Sequence, residues 1–246
     1  MTASPSMSPQ QAKLTDSQVS GFALYKNFVV GRASLAFFAY YELVTLLFSG
    51  LPGLLGFAAR SLSYPCLFKR CGKRPAFGRG VVLRGPQSIS LGAKNLVDDY
   101  AVLDVRGEGA EIVSGDFVSI GRFSTIAAKG GQILLGNAVN VGSYCRIATQ
   151  SKVEIGESVL VAAYCYIGSG NHQVGDDSTP LIEREMEIKG GVKIGAHAWI
   201  GAHSTILDGV TIGERAIIGA HSLVKESIPA DCVAVGSPAK VIKQLR

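Results

Sequence analysis

The sequence predicts an all-β solenoid, a chain wound in stacked coils, preceded by an apolar helical segment. The first observation is a six-residue period, since an aliphatic residue returns at every sixth position over 188–224. These residues are Ile188, Ile194, Ile200, Ile206, Ile212, Ile218 and Val224. Neither a helix, with a period of about 3.6, nor a flat strand, with a period of about 2, keeps such residues on one face. A chain that turns a corner every six residues does, because each flat side then sends one large side chain to a common axis.

Small residues and glycines follow the same period. A small side chain falls four places after each aliphatic one, at Ala198, Ser204, Val210, Ala216 and Ser222. Glycine directly follows the aliphatic residue in IGAHAW, IGAHST, IGERAI and IGAHSL. The aliphatic–glycine pair recurs upstream, beginning at Leu91, Ile120, Leu135, Val141, Ile155 and Ile167. With three sides to a coil of about 18 residues, the pattern predicts a solenoid of about eight coils over residues 77–228.

Three segments depart from this repeat. The stretch between Ile167 and Ile188 holds glycine, proline and charged residues, so we expect it to leave the solenoid as a loop. Loops of this length in compact domains usually serve function. Residues 229–246 are predicted to cap the open end of the solenoid, which otherwise exposes backbone and core. Residues 1–20, rich in Ser, Thr, Pro and Gln, are predicted to be a disordered tail.

Residues 21–76 form an apolar and basic helical segment. Glu42 is the only charged residue between Arg32 and Arg60, and the turn sequence SGLPG at 49–53 divides the apolar run into two helices. A charge in mid-run is costly in a bilayer, and basic residues flank the run on both sides. Both features favour a hairpin in one leaflet or along its surface over a single span. We therefore predict contact with a membrane surface, with packing on the solenoid or in trimer contacts as the alternative.

Charge is unevenly distributed along the 246 residues, whose formal net charge is +5. Residues 1–85 carry ten Lys or Arg against two acids, whereas the remainder carries fourteen against seventeen. A basic arm beside an apolar segment favours anionic lipid as a partner. The solenoid has no basic face interleaved with aromatic residues, so we do not expect it to bind nucleic acid. The five cysteines include no CxxC pair and no secretory signal is evident, so we expect packed, reduced thiols in the cytoplasm.

The four histidines are the candidates for chemistry. His197, His203 and His221 occupy the fourth place of their hexapeptides, an outward position, and the last two are expected to stack in successive coils as polar surface. His172 instead opens the excursion, in IGSGNHQVGDD. There an imidazole could reach over a groove between coils or subunits. An unperturbed pKa of about 6.5 suits histidine to remove the acceptor's proton during acyl transfer from a thioester.

The hexapeptides, the WIG motif at 199–201 and GSPAK at 236–240 resemble the hexapeptide-repeat acyltransferases. The similarity is strongest to the galactoside, maltose and xenobiotic branch and to the capsule and O-antigen sugar acetyltransferases. The resemblance implies a left-handed parallel β-helix of triangular section and a homotrimer whose active sites lie between subunits. It also implies acetyl-coenzyme A as the acyl donor, with no metal expected.

The same resemblance assigns roles to individual residues. His172 falls on the general base, and Trp199 falls on the tryptophan that lines the acyl-donor slot. Ala202 and Ala220 match the small residues whose backbone meets the pantetheine arm. The chain departs from the family pattern at His221, where relatives have glycine.

Charged and acceptor-facing residues follow by the same comparison. Lys240 and Lys243 fall on the cations that approach the coenzyme A phosphates. Where relatives read Thr-Lys or Ser-Lys this chain reads Lys225-Glu226-Ser227, so either Lys225 carries that phosphate-directed charge or the affinity for coenzyme A is weaker. Ser143 and Asn171 are expected to face the acceptor.

The leading hypothesis is an acetyl-coenzyme A-dependent O-acetyltransferase that acts on a sugar or lipid-linked glycan hydroxyl. We expect it in the cytoplasm, peripheral or monotopic on the inner face of the cell membrane. Acetyl transfer to the nitrogen of an amino sugar stays open. A zinc enzyme like the γ-class carbonic anhydrases requires three converging histidines, and only His172 lies on an excursion. A non-catalytic solenoid would need neither His172 nor Trp199.

Overall fold

The computed structural model describes residues 19–172, 180, 183–184 and 186–245, with Asn171 and His172 described by their backbone alone. Most of the predicted disordered tail and most of the excursion therefore lie outside the described residues. What is described comprises three N-terminal helices, a stack of short strands and a C-terminal antiparallel pair of strands.

The helices are α1 (Gly21–Val30), α2 (Leu35–Phe48) and α3 (Gly53–Ser63), and short 3₁₀ turns follow at Tyr64–Leu67 and Pro86–Ser88. Serines begin the first two, since the amides of Ala23 and Phe37 donate to the hydroxyls of Ser20 and Ser34, each over 3.2 Å. These bonds satisfy N–H groups that a helix start leaves free. The predicted break at residues 49–53 is confirmed, whereas the separate helix α1 was not predicted.

The strands run in chain order from β1 to β25. They are β1 (Arg70–Cys71), β2 (Ala76–Phe77), β3 (Val82–Arg84), β4 (Ile89–Leu91), β5 (Leu96–Val97), β6 (Val102–Arg106), β7 (Glu111–Ser114), β8 (Ser119–Ile120), β9 (Thr125–Lys129), β10 (Gln132–Leu135), β11 (Asn140–Val141), β12 (Arg146–Thr149), β13 (Lys152–Ile155), β14 (Leu160–Val161), β15 (Tyr166–Ser169), β16 (Asn171–His172), β17 (Met186–Glu187), β18 (Val192–Ile194), β19 (Trp199–Ile200), β20 (Thr205–Ile206), β21 (Thr211–Ile212), β22 (Ile217–Ile218), β23 (Leu223–Val224), β24 (Cys232–Val235) and β25 (Lys240–Gln244).

Three parallel sheets form the sides of the solenoid. Sheet A has the order β1-β4-β7-β10-β13-β18-β21, sheet B begins β2-β5-β8-β11-β14-β19-β22, and sheet C is β3-β6-β9-β12-β15-β20-β23. Strand β24 extends sheet B, and β25 pairs with it antiparallel, as expected of a cap. Each sheet takes one strand from each coil, so the solenoid has seven coils among the described residues.

The predictions of eight coils and of a start at residue 77 are therefore wrong. The first strand, β1, already pairs with β4. The early coils are also longer than 18 residues because their corners carry extra residues. Ile89 pairs with Ile112, 23 positions further on, whereas Ile194 pairs with Ile212 after 18.

The core consists of the aliphatic and small residues that the period identified. All are buried from Ile194 to Val224, as are the aliphatic members of the upstream pairs. Burial of such a side chain stabilises the fold by about 1.5–3 kcal/mol. Ile188 is the exception, with half of its surface exposed. Because Ile167 pairs directly with Ile206 in sheet C, the stack has no place left for Ile188.

A ladder of six stacked rings runs along the corner between sheets B and C. Its members are Tyr100, Phe123, Tyr144, Tyr164, His203 and His221, with neighbouring centroids 4.7–5.2 Å apart and interplanar angles of 2–18°. The predicted stacking of the two histidines is confirmed. Every member has a φ between 57° and 62°, a left-handed conformation that non-glycine residues rarely adopt. Ring stacking offsets part of that cost.

Replacing Tyr144 with alanine is expected to lower the free energy of unfolding by about 1–3 kcal/mol, because two ring contacts of about 0.5–1.5 kcal/mol each are lost. Tyr144→Phe should keep the stability. Phe117→Ala is the matched control, since Phe117 is also exposed at a left-handed corner, with φ 59°, and contacts Lys94 rather than a ring in the described chain. Urea unfolding of the three variants measures the difference, and equal losses for Tyr144→Ala and Phe117→Ala would contradict a stabilising ladder.

Candidate active site

The excursion begins at the end of β15. There the buried hydroxyl of Ser169 shares a hydrogen bond with Thr149 and accepts another from the hydroxyl of Ser151 over 3.0 Å. Strand β16 then pairs antiparallel with β17, which places the backbone of His172 opposite Met186. The backbone of His172 is thus fixed in the stem of a hairpin, directly where the chain leaves the solenoid.

Asp208 holds the returning end of the excursion. Its buried carboxylate accepts the amide N–H of Lys189 over 2.6 Å and that of Gly191 over 2.8 Å. A third bond comes from the amide of Gly209, over 2.9 Å. Hydrogen bonds to a carboxylate are stronger than those between neutral groups. This residue was not predicted from the sequence, although Asp-Gly at a corner is a recognisable turn signal.

Three of the predicted residues share the corner between sheets B and C. Ser143, Ala202 and Ala220 each immediately precede a ring of the ladder. Backbone bonds hold the corner, since Tyr164 N donates to Ser143 O over 3.0 Å and His221 N donates to Ala202 O over 2.9 Å. Ser143 and Ala202 are half-buried at this corner, and Ala220 is exposed.

Sheet B carries the second group. Trp199 lies on its outer face with 48% of its surface exposed. Across successive strands Trp199 pairs with Ile217, Ile217 with Val233, and Val233 with Lys243. At about 4.8 Å per strand, Lys243 lies roughly 14 Å from Trp199 in the same row. Lys240 pairs with Val235 in the same two-stranded cap.

The third group lies where sheet C ends and the chain turns towards sheet A. It contains the stem residues Asn171 and His172 and also Lys225, which follows β23. Lys225 is exposed, with its Nζ 3.7 Å from a carboxylate oxygen of Glu226. Within one chain, the width of sheet C separates this group from the B–C corner and from Trp199. A single chain therefore does not bring all predicted residues to one surface.

The buried cysteines behave as packed thiols, as predicted. Cys145 donates to the carbonyl of Ala162 over 3.0 Å, and Cys165 donates to that of Gly201 over 3.2 Å. The hydrogen bond with Cys165, followed by burial, raises the pKa of the Cys145 thiol. A raised pKa favours the neutral thiol. The described side chains contain no group of three or more His, Cys, Asp or Glu placed to hold a metal ion.

The repeat matches a known family. Residues 191–226 fit the model of the bacterial transferase hexapeptide (six repeats). Together with the three parallel sheets, this match confirms the predicted fold class, a left-handed parallel β-helix with an apolar helical segment before it.

Two curated relatives are acetyltransferases by name. The "Probable acetyltransferase Rv3034c" of Mycobacterium tuberculosis is 40% identical over 136 residues, which are 55% of this chain and 45% of that protein. The "Putative lipopolysaccharide biosynthesis O-acetyl transferase WbbJ" of Escherichia coli K12 is 33% identical over 108 residues, 41% of this chain and 55% of that protein. The chain thus spans about half the length of these relatives.

A solved structure shares the fold. It is AntD, an N-acyltransferase from Bacillus cereus in complex with dTDP and 3-hydroxybutyryl-CoA, with 22% identity and a TM-score of 0.51. The similarity covers 73% of this chain and 84% of AntD. The repeat and the two relatives thus make the chain similar to the hexapeptide-repeat acyltransferases, the family that its sequence resembles.

Proposed function

We propose that the protein transfers an acetyl group from acetyl-coenzyme A to a sugar hydroxyl, with His172 as general base. The observation that carries the proposal is the hairpin stem, which fixes the backbone of His172 at the mouth of the excursion. The names of the two relatives support acetyl transfer, and one of them names an O-acetyl transferase of lipopolysaccharide biosynthesis.

The chemistry requires one base and a bound thioester. The His172 imidazole would take the proton of the acceptor hydroxyl as its oxygen attacks the thioester carbonyl. The new C–O bond forms, the C–S bond breaks, and the departing thiolate recovers the proton. The products are the acetyl ester and free coenzyme A. Backbone N–H groups at the corner near Ala202 would be suited to stabilise the intermediate oxyanion.

We propose further that the site is shared between subunits of a homotrimer. The donor-binding residues Trp199, Lys240 and Lys243 lie on sheet B, whereas the stem of His172 lies beyond sheet C. If sheet B of one copy faced the excursion of another, the donor-binding residues and His172 would lie in one site. Ser143 and Asn171 would face the acceptor, and Lys225 would add a cation near the phosphates.

The activity is tested with acetyl-coenzyme A and a panel of nucleotide-linked and lipid-linked sugars. Mass spectrometry should detect the gain of one acetyl group on an acceptor. Mild alkali releases an ester but not an amide, so it separates O-acetylation from acetylation of an amino sugar. Absence of coenzyme A binding by calorimetry would instead favour a non-catalytic solenoid.

Trp199→Ala is expected to raise KM for acetyl-coenzyme A about tenfold with a smaller effect on kcat, since loss of a large apolar contact in a binding slot removes about 1–3 kcal/mol. Leu96→Ala is the control, because Leu96 is exposed on the same face of sheet B, four coils earlier. Steady-state kinetics in acetyl-coenzyme A measures both. An unchanged KM in Trp199→Ala would remove Trp199 from the donor slot.

A further inference from the structure

Helices α2 and α3 and the turn between them expose eight leucines. We call this set the leucine face: Leu35, Leu43, Leu46, Leu47, Leu51, Leu54, Leu55 and Leu62. Leu46 and Leu54 are each 81% exposed, and Leu62 is 80% exposed. In α2, Leu43 lies three and four residues before Leu46 and Leu47, and in α3 Leu55 lies seven residues before Leu62, spacings that put side chains on one side of a helix. Contiguous exposed apolar surface of this kind marks an interaction site.

The opposite side of the helices packs on the first coil. Tyr41 and Val44 of α2 are buried, and the hydroxyl of Tyr41 donates to the carbonyl of Leu83 over 2.8 Å. The ring centroids of Tyr64 and Phe77 lie 5.5 Å apart beneath α3. Packing on the solenoid, the alternative raised from the sequence, is therefore confirmed for one side of the helices only.

Arg60 shows that α3 is inverted relative to a helix of a soluble protein. Arg60 is only 3% exposed. Its Nε donates to the carbonyl of Phe77 over 3.0 Å, and its Nη1 donates to those of Phe48 and Leu51 over 2.9 and 2.7 Å. The one charged residue of α3 thus faces the protein while its leucines face outward. A helix in water has the reverse arrangement, whereas a lipid-facing helix keeps its charges inward.

The positive charge of the helical segment favours an anionic partner for the leucine face. Residues 21–76 contain seven Lys or Arg, and their only carboxylate, Glu42, accepts a hydrogen bond from the hydroxyl of Tyr25 over 2.9 Å. Arg32, Lys73 and Arg74 are exposed. Apolar side chains beside unbalanced cations are complementary to a bilayer with anionic headgroups.

The dimensions favour one leaflet. With a rise of 1.5 Å per residue, the 14 residues of α2 and the 11 of α3 span about 21 and 16 Å, less than the hydrocarbon core of about 30 Å. Among the described residues no single helix is long and apolar enough to cross a membrane. Helices α1 and α2 satisfy length and composition only as a pair, and they are bent by 75°.

We propose that the leucine face inserts into one leaflet of an anionic membrane and holds the solenoid at its surface. The flanking cations place that surface on the cytoplasmic side. Membrane binding does not depend on acyl transfer, and the experiment below does not measure acyl transfer. Either proposal can therefore fail without affecting the other.

The test is flotation of the full-length protein with vesicles of phosphatidylcholine, alone or with about one third phosphatidylserine. Wild type should float with the anionic vesicles. Leu54→Ser/Leu55→Ser should lower the partition coefficient by about tenfold or more, because two side chains no longer leave water. Leu96→Ser/Leu160→Ser is the matched control, since both leucines are exposed on sheet B. Lys73→Gln/Arg74→Gln should reduce only the preference for the anionic vesicles.

Unfolding midpoints show whether each variant folds, and sedimentation reports its oligomeric state. Wild type left at the bottom of both gradients would overturn the proposal, as would equal flotation of Leu54→Ser/Leu55→Ser. If that variant instead dissociated an oligomer while wild type ignored vesicles, the leucine face would be an interface between copies of the chain.

Discussion

Replacing His172 with alanine is expected to lower kcat by about 10²–10⁴-fold while leaving the affinity for coenzyme A nearly unchanged. Without the imidazole, no positioned group takes the proton of the acceptor hydroxyl as the C–O bond forms. Because Trp199, Lys240 and Lys243, which we propose bind the donor, lie on sheet B away from the excursion, the loss should fall on kcat rather than on donor binding. Single-turnover kinetics and calorimetry measure the two quantities separately.

His197→Ala is the matched control for that experiment. His197 is exposed at the corner between sheets A and B, 3.8 Å from a carboxylate of Glu157, and its removal should leave turnover within about twofold, as for most surface changes. Near-wild-type turnover in His172→Ala would exclude it as the base. Loss of coenzyme A affinity together with turnover would indicate a structural role instead.

Replacing Asp208 with alanine is expected to lower the free energy of unfolding by about 2–4 kcal/mol, because three backbone N–H groups lose a charged acceptor in a buried place. Asp208→Asn should cost less, since its single carbonyl oxygen still accepts the bonds from Gly191 and Gly209. Urea unfolding gives the difference. Hydrogen exchange should show faster exchange of the Lys189 amide in both variants, and of the Gly191 amide in Asp208→Ala alone.

Ser204 supplies the control for that prediction. It is buried at a corner of the same coil, and its hydroxyl donates to the carbonyl of Gly219 over 3.1 Å. Ser204→Ala should cost about 1 kcal/mol, the usual value for one neutral hydrogen bond. If Asp208→Ala cost no more than Ser204→Ala, the carboxylate would not be what holds the returning end of the excursion.

The period of six predicted the solenoid because the inward positions accept only aliphatic or small side chains. It failed at Ile188, which has the right spacing but no place in the stack, since pairing of Ile167 with Ile206 closes sheet C above the excursion. It also overestimated the number of coils, because extra residues at early corners lengthen a coil without changing its three sides. The spacing of aliphatic residues reveals the repeat, whereas strand pairing shows which hexapeptides belong to the solenoid.

The ring ladder was visible in the sequence only in part. Five segments share one pattern, in which an aliphatic residue and two further residues precede a ring and a small residue. They are IGRFS, VGSYC, VAAYC and two copies of IGAHS. The two histidines, 18 residues apart, were recognised because their spacing equals one ideal coil. The tyrosines and Phe123 were missed because longer corners and the excursion separate them unevenly.

The candidate site was predictable as a set of residues but not as an arrangement. Motifs named Trp199, Lys243 and the His172 segment, and they could not show that sheet C separates these groups within one chain. Asp208 was missed because its partners are backbone amides, which leave no signature in side-chain patterns. The exposed side of α3 was equally hidden, since only the packing of Arg60 shows which way an apolar helix faces.

Strand pairing continues across the excursion without interruption. Val153 pairs with Val192, Val161 with Ile200 and Ile167 with Ile206, as if the intervening chain were absent. The chain therefore leaves after the last strand of one coil, β15, and returns at the same corner before the first strand of the next, β18. The segment between them can lengthen, shorten or be exchanged for that of another solenoid at little cost to the scaffold. The excursion is therefore an exchangeable segment, whose sequence can change while the solenoid stays the same.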